Sequence, residues 1–241
     1  MTFRGVATVT ISITVAAVGV ISWARAQSAG HVPDPKRGAL IAAQGTKTGA
    51  PACAQCHAFN GSSDGSGAFP RIAHQSELYL AQQLRDFASG VRRNPLMSQV
   101  SHNLSSTDIA DVAAYYAGVE APFIPLQSAD PAFLKRGEML ATIGSAELRV
   151  QSCNNCHGPG GAGEPPAIPY LAGQYAKYIV FTLHMWQQGY RKNSVGGMGQ
   201  VAQKLGDGDM VAVAAYYQQV QSSLETLQPT SLTSSQPTGR D

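Results

Sequence analysis

Two short stretches hold every cysteine of the chain: PACAQCHAFNG at 51–61 and QSCNNCHGPGG at 151–161. Each contains Cys-x-x-Cys-His, with Cys53, Cys56 and His57 in the first and Cys153, Cys156 and His157 in the second. Such a pair can ligate zinc, cycle as a catalytic dithiol or attach a c-type haem. Zinc needs four ligands, which the two pairs could share, but that reading leaves both histidines unexplained. A thioredoxin-like dithiol needs the strands of a parallel sheet around it, and no such strand pattern is present. Covalent haem accounts for every position: the thiols add to the two vinyl groups, and the histidine on the same short helix lies under the iron. Two covalently bound haem c groups are therefore expected.

The sixth ligand decides whether such an iron binds small molecules or only passes electrons. Beyond the leader the methionines are Met97, Met139, Met185, Met198 and Met210. Met97 lies 40 residues beyond His57 and Met198 lies 41 beyond His157, both in non-periodic, turn-like segments. That separation lets the chain wrap the haem edge and return on its far face. Met139, Met185 and Met210 fall in helical patterns, where core packing is expected. His74, His102 and His184 are the rival sixth ligands, and bis-histidine ligation would lower the potential, but none recurs at a matching place and each reads as a surface or structural residue. His57, Met97, His157 and Met198 are thus the expected metal ligands. Arg92 and Arg191 recur in register and could reach haem propionates, since arginine suits carboxylates; solvated surface positions suit them equally.

The elements that must position these residues come from a duplication. KRGALIAAQG at 36 matches KRGEMLATIG at 135, FPRIAHQSELYLAQQL at 69 matches IPYLAGQYAKYIVFTL at 168, and LSSTDIADVAAYYAGV at 104 matches LGDGDMVAVAAYYQQV at 205. A period near 100 residues is the size of a small domain. Each copy reads as mostly helix. Asp34-Pro35 and Asp130-Pro131 pair an N-cap with a proline at the first helical position. Ser105 to Asp108 spells a capping box, followed by Ile109, Val112, Ala113 and Tyr116 at helical spacing. Gly38 and Gly137 recur inside first helices, which predicts a close crossing against the last helix of each copy, near Tyr116 or Tyr217.

Boundaries follow. Residues 1–26 form an n-region with Arg4, an apolar run over 5–23 and an Ala-x-Ala site at 24–26. This is a cleaved signal peptide or, given the length of the run, an anchor giving membrane association through residues 5–23. Domains are expected at 27–121 and 130–223, joined by a Pro-marked linker at 122–129, with a polar, disordered tail at 224–241. Apolar residues make up 44% and charged ones 13%. Without Arg4 and Arg25, the 17 basic residues fall to 15 against 15 acidic, so no basic patch argues for nucleic acid.

The order helix, Cys-x-x-Cys-His, Gly-rich loop, P-x-[LI]-A-x-Q-x3-Y, G-x-R-x-N, methionine and a final helix with AxYY resembles the class I cytochrome c fold. Its two copies resemble the diheme cytochrome c4 family over roughly 33–120 and 129–221. The resemblance implies an all-α fold of two tandem class I cytochrome c domains related by pseudo-two-fold symmetry. It supports Met97 and Met198 as ligands. It also implies that the carbonyls of Pro70 and Pro169 hold the ligand histidines, and that propionate edges meet between the domains. His74 stands where the family has glycine before Gln75, and Ala58 where it has glycine after His57; only local packing differences are expected from either.

The function these features predict is a periplasmic carrier of single electrons between a respiratory or periplasmic dehydrogenase and a terminal oxidase, with redox proteins as partners. The alternatives are a cytochrome subunit fixed in a membrane dehydrogenase complex and a diheme redox enzyme such as a peroxidase. An enzyme needs an open or unusual haem, and two near-equal repeats argue against such specialisation.

Overall fold

A computed structural model describes residues 31–122 and 129–220. The leader at 1–26, the core of the linker at 123–128 and the tail at 224–241 lie outside the described residues. In the first copy, Asp34 accepts the amide of Lys36 and starts helix α1 (Pro35–Gln44). A single turn, α2 (Ala54–His57), carries the ligand histidine. Then come α3 (Glu77–Ser89), α4 (Pro95–His102) and α5 (Ser106–Gly118). The capping box at the head of α5 is present in both directions between Ser105 and Asp108.

The second copy repeats this order as α6 (Pro131–Thr142), α7 (Asn154–His157), α8 (Ala176–Gln187), α9 (Gln200–Lys204) and α10 (Asp207–Gln219). It adds a two-residue antiparallel pair, β1 (Gly144–Ser145) with β2 (Val150–Gln151), just ahead of its cysteines. The expected all-α architecture is therefore present apart from this small hairpin. Among the described residues no helix is long and apolar enough to cross a membrane.

First and last helices cross closely in each copy. A Cβ added to Gly38 would lie 2.0 Å from the Asp111 carbonyl oxygen, and one added to Gly137 would lie 2.1 Å from that of Ala212. Only glycine lets the backbones approach this far. The crossing is where the sequence put it, but the touching tyrosines are Tyr115 and Tyr216, each 2.8 Å from that Cβ. Tyr116 and Tyr217 instead turn inward and are buried. Ile41, Val112 and Tyr116 pack in the first core; Leu140, Met210, Val213 and Tyr217 pack in the second.

The copies meet about a pseudo-dyad marked by reciprocal hydrogen bonds. Gln75 accepts from the Tyr170 amide at 3.1 Å and donates to its carbonyl at 2.6 Å. Gln174 does the same with Arg71, at 3.0 and 2.8 Å. After α3 and α8 the chains run antiparallel past each other. Arg92 pairs with Arg191, the Arg93 amide donates to the Tyr190 carbonyl at 2.7 Å, and the Lys192 amide donates to that of Val91 at 2.8 Å. This alternation turns Arg92 and Arg191 inward and leaves Arg93 and Lys192 outside.

Candidate haem sites

Each Cys-x-x-Cys-His turn is built the same way. Cys53 and Cys153 cap α2 and α7, and the His57 and His157 amides donate back to their carbonyls at 2.9 Å. One turn of helix thus sets both thiols and the imidazole on adjoining positions. No disulfide joins the four cysteines, and before any attachment burial pushes the Cys53 and Cys153 thiols up to about 11. They are consequently neutral and nucleophilic only when deprotonated. Among the described residues no three His, Cys, Asp or Glu side chains converge, so the two cysteine pairs are not brought together on one zinc-like centre.

His57 Nδ1 lies 3.1 Å from the Pro70 carbonyl, and His157 Nδ1 lies 2.9 Å from that of Pro169. A carbonyl can only accept, so the proton sits on Nδ1 and Nε2 keeps its lone pair. Burial lowers the proton affinity of both rings, which keeps them neutral.

A continuous cavity of about 380 Å³ runs through both copies. His57, Cys53, Cys56 and Met97 line it in the first; His157, Cys153, Cys156 and Met198 line it in the second. Its walls are largely apolar, with Leu80, Leu84, Val112 and Tyr116 on one side of the dyad and Ile179, Leu183, Val213 and Tyr217 on the other. His74, His102 and His184 do not line it. Of the remaining methionines, Met210 is fully buried core and Met185 reaches the cavity wall. Met139 is a correction: it is 39% exposed rather than packed in the core, because its face of α6 points away from the crossing with α10.

The methionine segments also correct the sequence reading in part. Met97 stands on a regular helix, α4, started by Pro95 and by Asn94, which accepts the Leu96 and Met97 amides. Met198 does lie in a turn, Val195–Gly199, a wide helical turn rich in glycine. The cause is two extra residues: three positions separate Asn94 from Met97, and five separate Asn193 from Met198.

At the middle of the cavity the two arginines are buried, 6% and 5% exposed, so neither is a solvated surface residue. Arg92 donates to Gln83 Oε1 at 2.9 Å and to the Tyr178 hydroxyl at 2.7 Å. Arg191 donates to Gln83 Oε1 at 2.8 Å and to the Tyr79 hydroxyl at 3.2 Å. Each guanidinium also lies over an aromatic ring, Phe87 at 4.4 Å and Trp186 at 3.9 Å. Burial, and then the charge of Arg92, lower the proton affinity of Arg191. Burial would raise the Tyr178 phenol, but the two guanidiniums outweigh it and lower it. Positive charge thus collects where both ends of the cavity meet. An apolar slot with a cationic middle fits a flat macrocycle whose only charged groups are carboxylates on one edge.

Gln75, Gln174, Tyr79, Tyr178 and Gln83 escaped the sequence reading as site residues. The signal was there, since the Gln and Tyr of A-x-Q-x3-Y recur 99 residues apart. Their partners lie in the other copy, which no local pattern discloses.

Known proteins match this arrangement. A family model described as cytochrome c oxidase, cbb3-type, subunit III matches residues 144–216. The chain is 35% identical over 169 residues to cytochrome c4 of Pseudomonas aeruginosa, covering 69% of this chain and 82% of that protein. It belongs to the diheme cytochrome c4 family. The reduced cytochrome c4 of Pseudomonas stutzeri superposes with a TM-score of 0.69 at 30% identity, over 79% of this chain and 100% of that one. A protein of Stutzerimonas stutzeri described as a thiosulfate dehydrogenase electron acceptor is 37% identical over 177 residues, 73% of this chain and 82% of that protein. As a member of the cytochrome c4 family, the chain is an electron-transfer protein carrying two covalently bound haem c groups, with other redox proteins as its partners.

Proposed function

We propose that the chain carries single electrons in the periplasm, from a dehydrogenase to a terminal oxidase, through two haems that each have one histidine and one methionine ligand. Cys53 and Cys56 hold one haem by thioether bonds, and Cys153 and Cys156 hold the other. His57 with Met97, and His157 with Met198, would supply the nitrogen and sulfur ligands of the two irons. The observation that carries this reading is the lining of one cavity by both histidines and both methionines, with each imidazole Nδ1 tied to a proline carbonyl.

A haem with one imidazole and one thioether ligand supplies a reversible one-electron couple at raised potential. Pro70 and Pro169 fix the tautomer and plane of each ligand ring and strengthen it as a base. Arg92 and Arg191 would hold the carboxylates of the bound groups, and the apolar walls would keep water from the ligands. The likeness to the thiosulfate dehydrogenase electron acceptor of Stutzerimonas stutzeri favours a thiosulfate dehydrogenase as the donor. The apolar run at 5–23 and the Ala-x-Ala site at 24–26 would direct the chain to export.

The test is ligation. Met97→Ala and Met198→Ala should each remove half of the weak far-red sulfur-to-iron band of the oxidised protein, and the wild type should bind carbon monoxide slowly when reduced. A band left whole by either substitution would overturn that ligand. Rapid carbon monoxide binding at one haem would favour the diheme enzyme instead.

A further inference from the structure

The dyad is broken inside the interface at Asp86. Asp86, on α3, is 4% exposed and accepts from Gln82 Nε2 at 2.7 Å and from Asn193 Nδ2 at 2.5 Å. Its counterpart 99 residues on is Met185, which has no carboxylate to offer. The bond to Asn193 therefore runs in one direction only, from the first copy to the second.

Asn193 corresponds to Asn94, whose side chain is the cap of the Met97 helix. Asn193 cannot do this work. Its Nδ2 is held by Asp86 and, at 3.2 Å, by Gln83 Oε1, while its Oδ1 accepts from Arg191 Nε at 3.0 Å. The cap passes to the next residue. Ser194 adopts a left-handed backbone, φ 94°, and its hydroxyl accepts the Met198 amide at 3.2 Å. Its carbonyl accepts the amides of Gly197 and Gly199 at 3.1 and 3.0 Å. Beyond this cap the turn is Val195-Gly196-Gly197-Met198-Gly199, whose glycines add little stiffness of their own.

We propose that Asp86 is a positioning residue for the methionine of the other copy: it fixes Asn193 across the interface, and Asn193 fixes the start of the Met198 turn. This rests on the reading of Met198 as an iron ligand. Met97 has no such side-chain link: Asn94 caps α4 within its own copy, although the backbone just ahead of it, at Arg93, also bonds across the interface. The side-chain cap ahead of one methionine is thereby tied to a carboxylate of the other copy, and that ahead of the other is not.

The experiment uses the whole diheme protein. In the reduced state each axial methionine gives its own upfield-shifted methyl resonance, assigned by Met97→Ala and Met198→Ala; in the oxidised state cyanide displaces each methionine at a measurable rate. Asp86→Leu should move or broaden the Met198 resonance and speed cyanide entry at that haem about tenfold, the factor expected when a hydrogen bond to a charged group is lost. The Met97 resonance and its cyanide rate should stay as in the wild type. Asp86→Asn keeps an acceptor oxygen and should restore both Met198 readings. Should Asp86→Leu fail to hold its haems, Asn193→Ala cuts the same link from the other side with the same expected result. Loosening of both haems alike, or of neither, overturns the proposal. If Met198→Ala leaves both resonances in place, the ligand assignment itself falls, and the proposal with it. If Met198→Ala removes its resonance but neither Asp86→Leu nor Asn193→Ala disturbs it, only the proposal falls.

Discussion

The two copies agree at the ligand histidines, the dyad and the helix crossing, and differ in the polar and apolar groups packed behind them. Histidine to proline carbonyl, glutamine to opposite backbone, glycine at the helix crossing and an inward arginine are all repeated across the dyad. The helix pair behind each site is not. In the first copy Arg37 grips both Asp108 and Asp111, and Asp111 is fully buried and also accepts the Asp34 amide at 2.8 Å. In the second copy Arg136 pairs with Asp209 at 2.7 Å, and the place of Asp111 is taken by Ala212. The first copy therefore depends on a buried polar network where the second depends on apolar packing around Met210 and Val213. Duplication preserved the site and let the scaffolds drift toward different ways of holding the same crossing.

The largest effect should fall where the copies are alike. Gly38→Ala and Gly137→Ala each drive a methyl group to about 2 Å from a carbonyl oxygen of the last helix. Helices must then separate, at about 3 kcal/mol or more, the upper end of what overpacking costs. Denaturant midpoints of the two variants, measured on the diheme protein, should fall by similar amounts. A marked inequality would mean that one crossing already has slack, and the copies would differ at their most conserved-looking contact.

A smaller, one-sided effect is expected in acid. Burial alone would raise the Asp108 carboxyl, but hydrogen bonds from Ser105 and the Arg37 guanidinium override it and hold the group below the usual carboxylate range. A carboxyl depressed on folding stabilises the fold fully above its unfolded value of about 3.9 and loses that contribution as pH falls through the folded value. Asp108→Asn should thus lower stability near neutrality by about 1 kcal/mol, and the gap from wild type should close below about pH 4. Thermal midpoints followed from pH 7 to pH 3 check this. A gap that stays constant with pH would assign the loss to the helix cap rather than to the charge.

How much of this could be read beforehand depended on the range of the interaction. The cysteines, ligand histidines, helix starts and duplication are local or periodic, and Asp34, Asp130 and the Ser105–Asp108 box cap the helices they were expected to cap. Glycine at 38 and 137 betrayed the crossing because a poor helix former recurs inside a helix. Met97 reads as lying in a turn because so short a segment shows no apolar period, whereas Asn94 caps a helix there and Pro95 opens it. The interface was invisible because Gln75, Gln83, Asp86 and Asn193 find their partners some 95 to 110 residues away. No spacing rule links such residues before the fold brings them together.

The smallest effect concerns the two departures from the family glycines, where only packing differences were expected and the backbone proves to be the reason. Ala58 sits at φ 57°, ψ 162°, a region open almost only to glycine, and its counterpart Gly158 sits at φ 74°, ψ 164°. His74 has φ 64°, and its counterpart Gly173 has φ 67°. The first copy thus carries strain at two points that the second avoids. Both backbones are held by bonds that do not need the side chain: the Ala58 carbonyl accepts the Tyr116 hydroxyl at 3.2 Å, and the His74 amide donates to the Tyr116 carbonyl at 3.0 Å. Glycine would relieve about 1–3 kcal/mol of strain at such a site and return about 0.4–1 kcal/mol through the freer unfolded chain. Ala58→Gly and His74→Gly should therefore each stabilise the protein by about 1 kcal/mol, and Gly158→Ala should destabilise it. The far-red ligand band should not change, because neither residue lines the cavity. Denaturant midpoints of the three variants decide the matter. If His74→Gly lowers the midpoint, the imidazole makes contacts worth more than the strain it imposes, and the first copy would then have gained from losing its glycine.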